Sequence, residues 1–227
     1  MILTKNLRIN IARSLAAERV LDVGGWHLPL NAATHVLDLG PMATRGEALD
    51  PENAPRFTQE TWIVADACVA PWPFPDKYFD YSICSHLLED VRDPLAVIRE
   101  LVRVSKCGYV ETPTRLREIF AKGRFDRLKS RLFWPPEVGF YHHRWFVETD
   151  GNRLVFTAKT AEITRRRRYY ITRGEIGRKL TEEESGLGIF WEGSLNAVEF
   201  FPPSIHRDLA DYKRQALATL RRRREST

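Results

Sequence analysis

Along the first half of the chain, short β-prone apolar runs alternate with polar breaks that carry glycine, proline or an acid. Val20, Leu21 and Val23 in RVLDVGG stop at Gly24 and Gly25. HVLDLG closes with Asp38, TWIVADA with Asp66, FDYSICS runs into polar SHLLED, and GYVETP is closed by Pro113. Short continuous apolar runs stopped by turn residues are what the central strands of a parallel sheet look like, because both of their faces are covered. Between the fourth and fifth runs, Pro94 fits the first turn of a helix with Asp93 as its cap. Leu95, Ile98, Leu101 and Val102 supply that helix with a buried stripe. At the start of the chain Leu3, Leu7, Ile11 and Leu15 lie near helical spacing and predict an amphipathic first helix over residues 1–17.

Beyond Pro113 the pattern changes. TRLREIFAKGRFDRLKSRLFWPP reads as one or two basic amphipathic helices, and VGFYHHRWFVETDGNRLVFTAK as a β-hairpin turning at Asp150–Gly151, with Trp145, Val147, Leu154 and Phe156 at apolar positions. LGIFWEG and NAVEFF read as an antiparallel strand pair. SIHRDLADYKRQALATLRRRR reads as a final helix packed outside.

Strands joined by helical or loop segments imply a parallel sheet, and such sheets bind ligands outside the carboxyl ends of their strands. The polar residues gather at those ends. Asp38, Asp66, Ser85, His86 and Glu111 each terminate or follow an apolar run, so the topology lines them along one edge although they are far apart in sequence. Singly, each is as readily a helix cap or a turn former. His142 and His143 adjoin the hairpin; on an extended strand neighbouring side chains face opposite ways, so one of them at most is expected to point inward. Either that histidine is a half-buried ring among aromatics, or it is a general base or substrate ligand, suited by a pKa near neutrality. No metal site is expected: no third His or Cys has ligand spacing, although Glu89, Asp90 or Glu111 could complete a mixed set.

Composition narrows the class. The 227 residues are 43% hydrophobic, enough for a sizeable core. Cys68, Cys84 and Cys107 are odd in number, form no CxxC pair and lie in or beside apolar runs, which favours reduced thiols over a disulfide scaffold or zinc knuckle. Lys5, Arg8 and Arg13 interrupt the N-terminal apolar residues, so no signal-peptide core is expected there, and no stretch is long enough to span a bilayer. A cytoplasmic protein is expected. The net charge of +5 is unevenly placed: residues 1–110 hold 11 basic against 14 acidic residues, and residues 111–227 hold 24 against 16. The runs Arg165 to Arg168 and Arg221 to Arg224 are either solvated faces or contacts for an anionic partner.

The ordered series VLDVGG, HVLDLG, IVADACVAPWPFPDKYFDYSICSHLLEDVRDPLAVIRELVRVSKCGYVETP resembles the class I S-adenosylmethionine-dependent methyltransferases, of the methyltransferase-11-like kind. The run from Asp66 to Pro94 is its most specific piece. The resemblance implies an α/β fold: a doubly wound, mostly parallel, Rossmann-like seven-stranded sheet with an antiparallel terminal strand pair and an inserted helix and hairpin segment after strand five. It divides a single domain into an N-terminal helix (1–17), a cofactor-binding core (18–113), an inserted cap over the substrate (114–170) and the C-terminal strand pair with a basic helix (171–227).

The same resemblance implies S-adenosyl-L-methionine as cofactor. Asp22, Gly24 and Gly25 fall at the loop beside its methionine portion, and glycine suits that place because a Cβ would obstruct the backbone. Asp38, followed by Leu39, falls where both ribose hydroxyls are accepted. Asp66 and Ala67 fall at the adenine, Ser85 and His86 beside the sulfonium. Only 16 positions separate Asp22 from Asp38, too few for a glycine loop and an ordinary helix, so the first crossover is shortened and Trp26 with Pro29 rebuilds the pocket wall, or the pocket is lost. For a general base the candidates are His86, then His143 and His142. A methyltransferase acting on an oxygen or nitrogen of a small molecule or glycan fits the compact core. An RNA methyltransferase would use the arginine runs, although no RNA-binding module is visible; a scaffold without activity would explain the short glycine loop.

Overall fold

A computed structural model describes residues 3–121, 123, 136–151 and 153–225. The expected strands are present. β1 (Val20–Val23), β2 (His35–Asp38), β3 (Trp62–Val64), β4 (Phe79–Ser85) and β5 (Ser105–Pro113) pair in parallel, and β1 is buried along its whole length. Two further pairs follow: β6 (Phe120–Ala121) lies parallel to β9 (Ile171–Thr172), and β7 (Trp145–Asp150) with β8 (Arg153–Ala158) forms the hairpin expected around Gly151.

The terminal strands correct the sequence reading. β10 (Gly186–Glu192) pairs antiparallel with β5 and gives a sheet of order β10-β5-β4-β1-β2-β3, so the described central sheet has six strands rather than seven. β11 (Asn196–Glu199) leaves it and pairs in parallel with β8. Gly193, at φ +69, turns the chain between them. β7, β8 and β11 form their own small sheet, which buries Val147, Leu154 and Phe156 in the core beneath β1, β4 and β5.

Helix α2 (Pro94–Val104) covers that same face of the central sheet. Asp93 caps it by accepting from the Ala96 N–H at 2.8 Å, a contact of about 1 kcal/mol. Ile98 and Leu101 are buried, each stabilising by roughly 1.5–3 kcal/mol relative to exposure. Helix α1 (Thr4–Ala16) covers the opposite face; Leu3 is buried and Leu7 and Ile11 pack on the core as expected, but the stripe ends there and polar residues join it. Leu15 is 50% exposed, whereas Asn6, Asn10 and Ser14 are buried. The sheet offers them partners: the Asn6 amide donates to the Tyr109 hydroxyl at 2.8 Å, and the Tyr81 hydroxyl donates to Asn10 Oδ1 at 2.6 Å.

Loops replace most crossover helices. Their backbone polar groups still need partners, and a few long or charged side chains supply them. Arg56 donates to the carbonyls of Ser14, Ala17, Glu18 and Ala32. The Asp50 carboxylate accepts from Asn31 N and Ala32 N. Between β3 and β4, Arg103 reaches the carbonyls of Trp72 and Phe74 while Glu100 accepts from Trp72 N at 2.6 Å.

Most of the expected basic helical segment after Pro113 lies outside the described residues. Its start is the turn α3 (Arg115–Glu118), capped by Thr114, followed by β6. A second apolar cluster joins Ile119, Phe120, Tyr169, Tyr170 and Ile176 to Leu209 and Leu220 of the final helix, Ile205–Glu225. Arg115 ties this cluster in: almost fully buried, it pairs with Glu148 at 2.7 Å and with Asp208, and it stacks on Phe146 and Tyr212. The three cysteines are free. Among the described residues no helix is long and apolar enough to cross a membrane.

Candidate active site

The parallel strands all end on one edge, and there three cavities adjoin. The first, about 60 Å³, is lined by Gly24, Asp38, Leu39, Asp66, Ala67 and Val91. The second, about 390 Å³, contains Asp22, Gly24, Gly25, Trp26, Ser85 and His86. The third, about 780 Å³, takes in His86, Asp90, Glu111, Arg117, His142 and His143. Gly24 is shared by the first two, and His86, Asp90 and His142 by the last two. The eleven residues proposed from sequence all line this one crevice.

The glycine turn is built around Asp22. Gly24 adopts φ +83, and a Cβ on Gly25 would lie 2.4 Å from Asp22 Oδ2. With no Cβ there, the buried Asp22 carboxylate tucks under the turn and accepts from Leu30 N at 2.9 Å, which fixes the shortened crossover. Burial, only partly offset by that hydrogen bond, pushes the Asp22 carboxyl up to about 7.

Asp38 accepts from Gly40 N at 2.7 Å and from Trp26 N at 3.2 Å; burial holds its carboxyl above the usual range despite these donors. The Trp26 indole lies against Gly40, donates to the Thr44 hydroxyl at 2.9 Å and lines the second cavity, whereas Pro29 lines none of the three. Asp66 faces the same small cavity as Asp38. Its carboxylate accepts from Cys68 N at 2.8 Å and is gripped by the exposed Arg92, which holds it below the ordinary carboxylate value.

His86 is held between two carboxylates. It follows β4 at φ +55, with its backbone N–H on the Glu111 carbonyl at 2.8 Å. Nδ1 lies 3.2 Å from Glu89 Oε1, and Nε2 lies 3.4 Å from Glu111 Oε1. Burial works against charge on the ring, but the hydrogen bonds to Glu111 and Glu89 outweigh it and raise the pKa to about 9. Two carboxylates on the two ring nitrogens favour the charged imidazolium. Glu111 is fixed in turn by Leu3 N, which donates to both its oxygens, and by the Tyr109 hydroxyl.

The adjacent histidines also depart from expectation. Tyr141 and His142 form a turn and β7 begins only at Trp145, so the alternation of an extended strand does not apply. Both rings face Asp90: Nε2 of His143 lies 3.8 Å and Nε2 of His142 4.0 Å from its Oδ1. Nδ1 of His143 pairs with Glu118 Oε1 at 2.7 Å, and Lys159 holds the other Glu118 oxygen. Burial alone would raise the Glu118 carboxyl, yet His143 and Lys159 bring it below its usual value. The sequence pattern gave no functional signal for Glu118, Lys159 or Arg92: each lies in a segment read for its secondary structure, and their partners are distant along the chain.

A mostly parallel α/β sheet with helices on both faces and an acid-lined crevice at its strand ends is a doubly wound, Rossmann-like fold, which binds ligands at that edge. Residues 31–109 match the family described as "Methyltransferase domain". That match spans β2 to β5, about a third of the chain, and makes the core similar to a methyltransferase domain. No curated protein sequence matches significantly. The N-terminal domain of EvdMO1, crystallised in the presence of SAH and D-fucose, is 20% identical over 48% of this chain and 50% of its own, with TM-score 0.34. An S-adenosylmethionine-dependent methyltransferase from Mesorhizobium loti is 17% identical over 68% and 62%, with TM-score 0.37. The PH0226 protein from Pyrococcus horikoshii OT3 is 15% identical over 92% and 80%, with TM-score 0.34. This chain spans about half the length of the first of these.

Proposed function

We propose that the protein transfers a methyl group from S-adenosylmethionine to an oxygen or nitrogen nucleophile of a small molecule or glycan. The observation that carries this reading is the single crevice joining Asp38 and Asp66 to His86 and His143 through Gly24. Asp38 accepts the ribose hydroxyls; Asp66 and Ala67 meet the adenine, with Leu39 and Val91 as apolar walls. Gly24 and Gly25 admit the methionine portion above Asp22, and Ser85 with His86 lies beside the sulfonium. A lone pair of the acceptor forms a bond to the methyl carbon while the carbon–sulfur bond breaks. Sulfur leaves with that electron pair as a neutral thioether, and the acceptor loses its proton. Much of the rate comes from holding acceptor and methyl in line.

His86 acts here as a charged strut between Glu89 and Glu111, and activation of the acceptor falls to Asp90, His142 and His143 on the far wall. The inserted segment 114–170 selects the acceptor, supported by its contribution of Arg117, Phe140, His142 and His143 to the 780 Å³ cavity. The arginine run does not favour RNA. Arg165 and Arg166 reach Glu162, Arg167 reaches Glu175, and Arg168 stacks on Tyr169, so much of its charge is already engaged. The test is methyl transfer from radiolabelled S-adenosylmethionine to panels of hydroxylated small molecules, sugars and structured RNA. Label in a small molecule or sugar supports the reading; label in RNA alone overturns it.

A further inference from the structure

We propose that Asp90, His142 and His143 form a binding site for a divalent transition-metal ion, placed where the crevice meets the inserted segment. One oxygen of Asp90 and one nitrogen from each histidine lie within 4.8 Å of one another. The separations of 3.8 and 4.0 Å from Asp90 Oδ1 to the two imidazoles are too long for hydrogen bonds. They fit inside the roughly 4.2 Å that two metal bonds of about 2.1 Å can span. Asp90 Oδ1 is itself buried and has no hydrogen-bond partner, a costly state for a carboxylate oxygen unless a cation joins it. The two rings stand edge to face rather than stacked, 87° apart with centroids 4.5 Å apart.

The surroundings are those of a ligand set rather than a chance cluster. Nδ1 of His143 is committed to Glu118 at 2.7 Å; with the proton on that nitrogen, the Nε2 lone pair is left facing Asp90. The turn carrying Asp90 is clamped to the start of β7 by hydrogen bonds. Arg144 N and Trp145 N donate to the Glu89 carbonyl at 2.7 and 3.2 Å, and Trp145 Nε1 donates to the Val91 carbonyl at 2.9 Å. Asp90 is therefore held opposite the histidine pair from both sides in sequence. Two imidazoles and a carboxylate suit Mn²⁺, Fe²⁺, Co²⁺ or Zn²⁺ better than the all-oxygen preferences of Mg²⁺ or Ca²⁺.

All three ligands line the 780 Å³ cavity, so the remaining coordination positions open toward the acceptor. An acceptor hydroxyl bound there gives its proton to solvent water under the field of the ion, and its oxygen then forms the bond to the methyl carbon as sulfur departs with the electron pair. This catalytic role rests on the methyl-transfer reading; the ion site does not.

Chelator-treated full-length protein, free of cofactor, is titrated with Zn²⁺ by calorimetry and with Mn²⁺ by electron paramagnetic resonance. One saturable site per chain is expected, weakened at least tenfold in Asp90→Asn and in His142→Ala. The first variant is nearly isosteric and the second alters a half-exposed ring, so both are expected to keep the native circular dichroism. Absence of saturable binding, or unchanged affinity in both variants, overturns the site. Binding of S-adenosylhomocysteine, measured on the same preparation, separately tests the methyl-transfer reading.

Discussion

Replacing His86 with Gln removes the positive charge held between Glu89 and Glu111 while keeping a side chain of similar reach. In the native protein the His86 pKa is raised from 6.5 to about 9, since the hydrogen bonds to the two glutamates exceed the cost of burial. The ring is 30% exposed, so most of that coupling is sheltered from solvent. At 1.36 kcal/mol per pH unit, the shift corresponds to roughly 3 kcal/mol of folding free energy. Because the folded pKa is the higher one, this contribution is complete below pH 6.5 and is lost as pH rises through about 9. Urea denaturation of wild type and His86→Gln at pH 6, 8 and 10 therefore gives stability curves that converge toward high pH, with the wild-type advantage shrinking by about 3 kcal/mol. Other groups titrating in that window cancel in the difference. Parallel curves, or an NMR titration placing the His86 ring at or below 6.5, would refute the strut assignment.

Asp22→Asn is expected to flatten the acid side of the same profile. Burial raises the Asp22 carboxyl to about 7, so the wild type loses stability relative to the variant as pH climbs from about 4 to 7, by roughly 4 kcal/mol in denaturant titrations. Arg92→Ala frees Asp66 from an exposed ion pair of the kind that contributes at most about 1 kcal/mol, and S-adenosylhomocysteine should bind up to about fivefold more tightly by calorimetry; weaker binding would mean that Arg92 itself contacts the cofactor. Arg115→Met strands Glu148 and Asp208 without their buried partner and should cost about 3 kcal/mol in urea denaturation, somewhat softened because both acids can rehydrate.

The strands of the core were legible because each is a continuous apolar run ended by glycine or an acid, and a buried parallel strand requires that pattern. α2 announced itself through Asp93, Pro94 and its stripe, and the hairpin through Asp150–Gly151. What escaped was held together by single side chains that leave no periodic trace. Arg56, Asp50 and Arg103 satisfy loop backbones where helices would stand in a longer chain. Asn6 and Asn10 make the buried face of α1 polar because tyrosine hydroxyls wait opposite. The second terminal strand could not be assigned to a sheet from NAVEFF alone, since its alternation fits β8 as well as β10. At the site, the aspartates and glycines followed from strand ends, but the pairing of His142 with His143 on Asp90 depended on a turn replacing an extended strand.

The central claim is that Asp38 and Asp66 face one nucleoside. Calorimetry of S-adenosylhomocysteine with wild type and Asp38→Ala tests it most directly. Hydrogen bonds to a charged acceptor contribute about 1.5–3 kcal/mol each, so the account predicts one site per chain in the wild type and a loss of at least tenfold in the variant. No binding by the wild type, or equal binding by both, would contradict it.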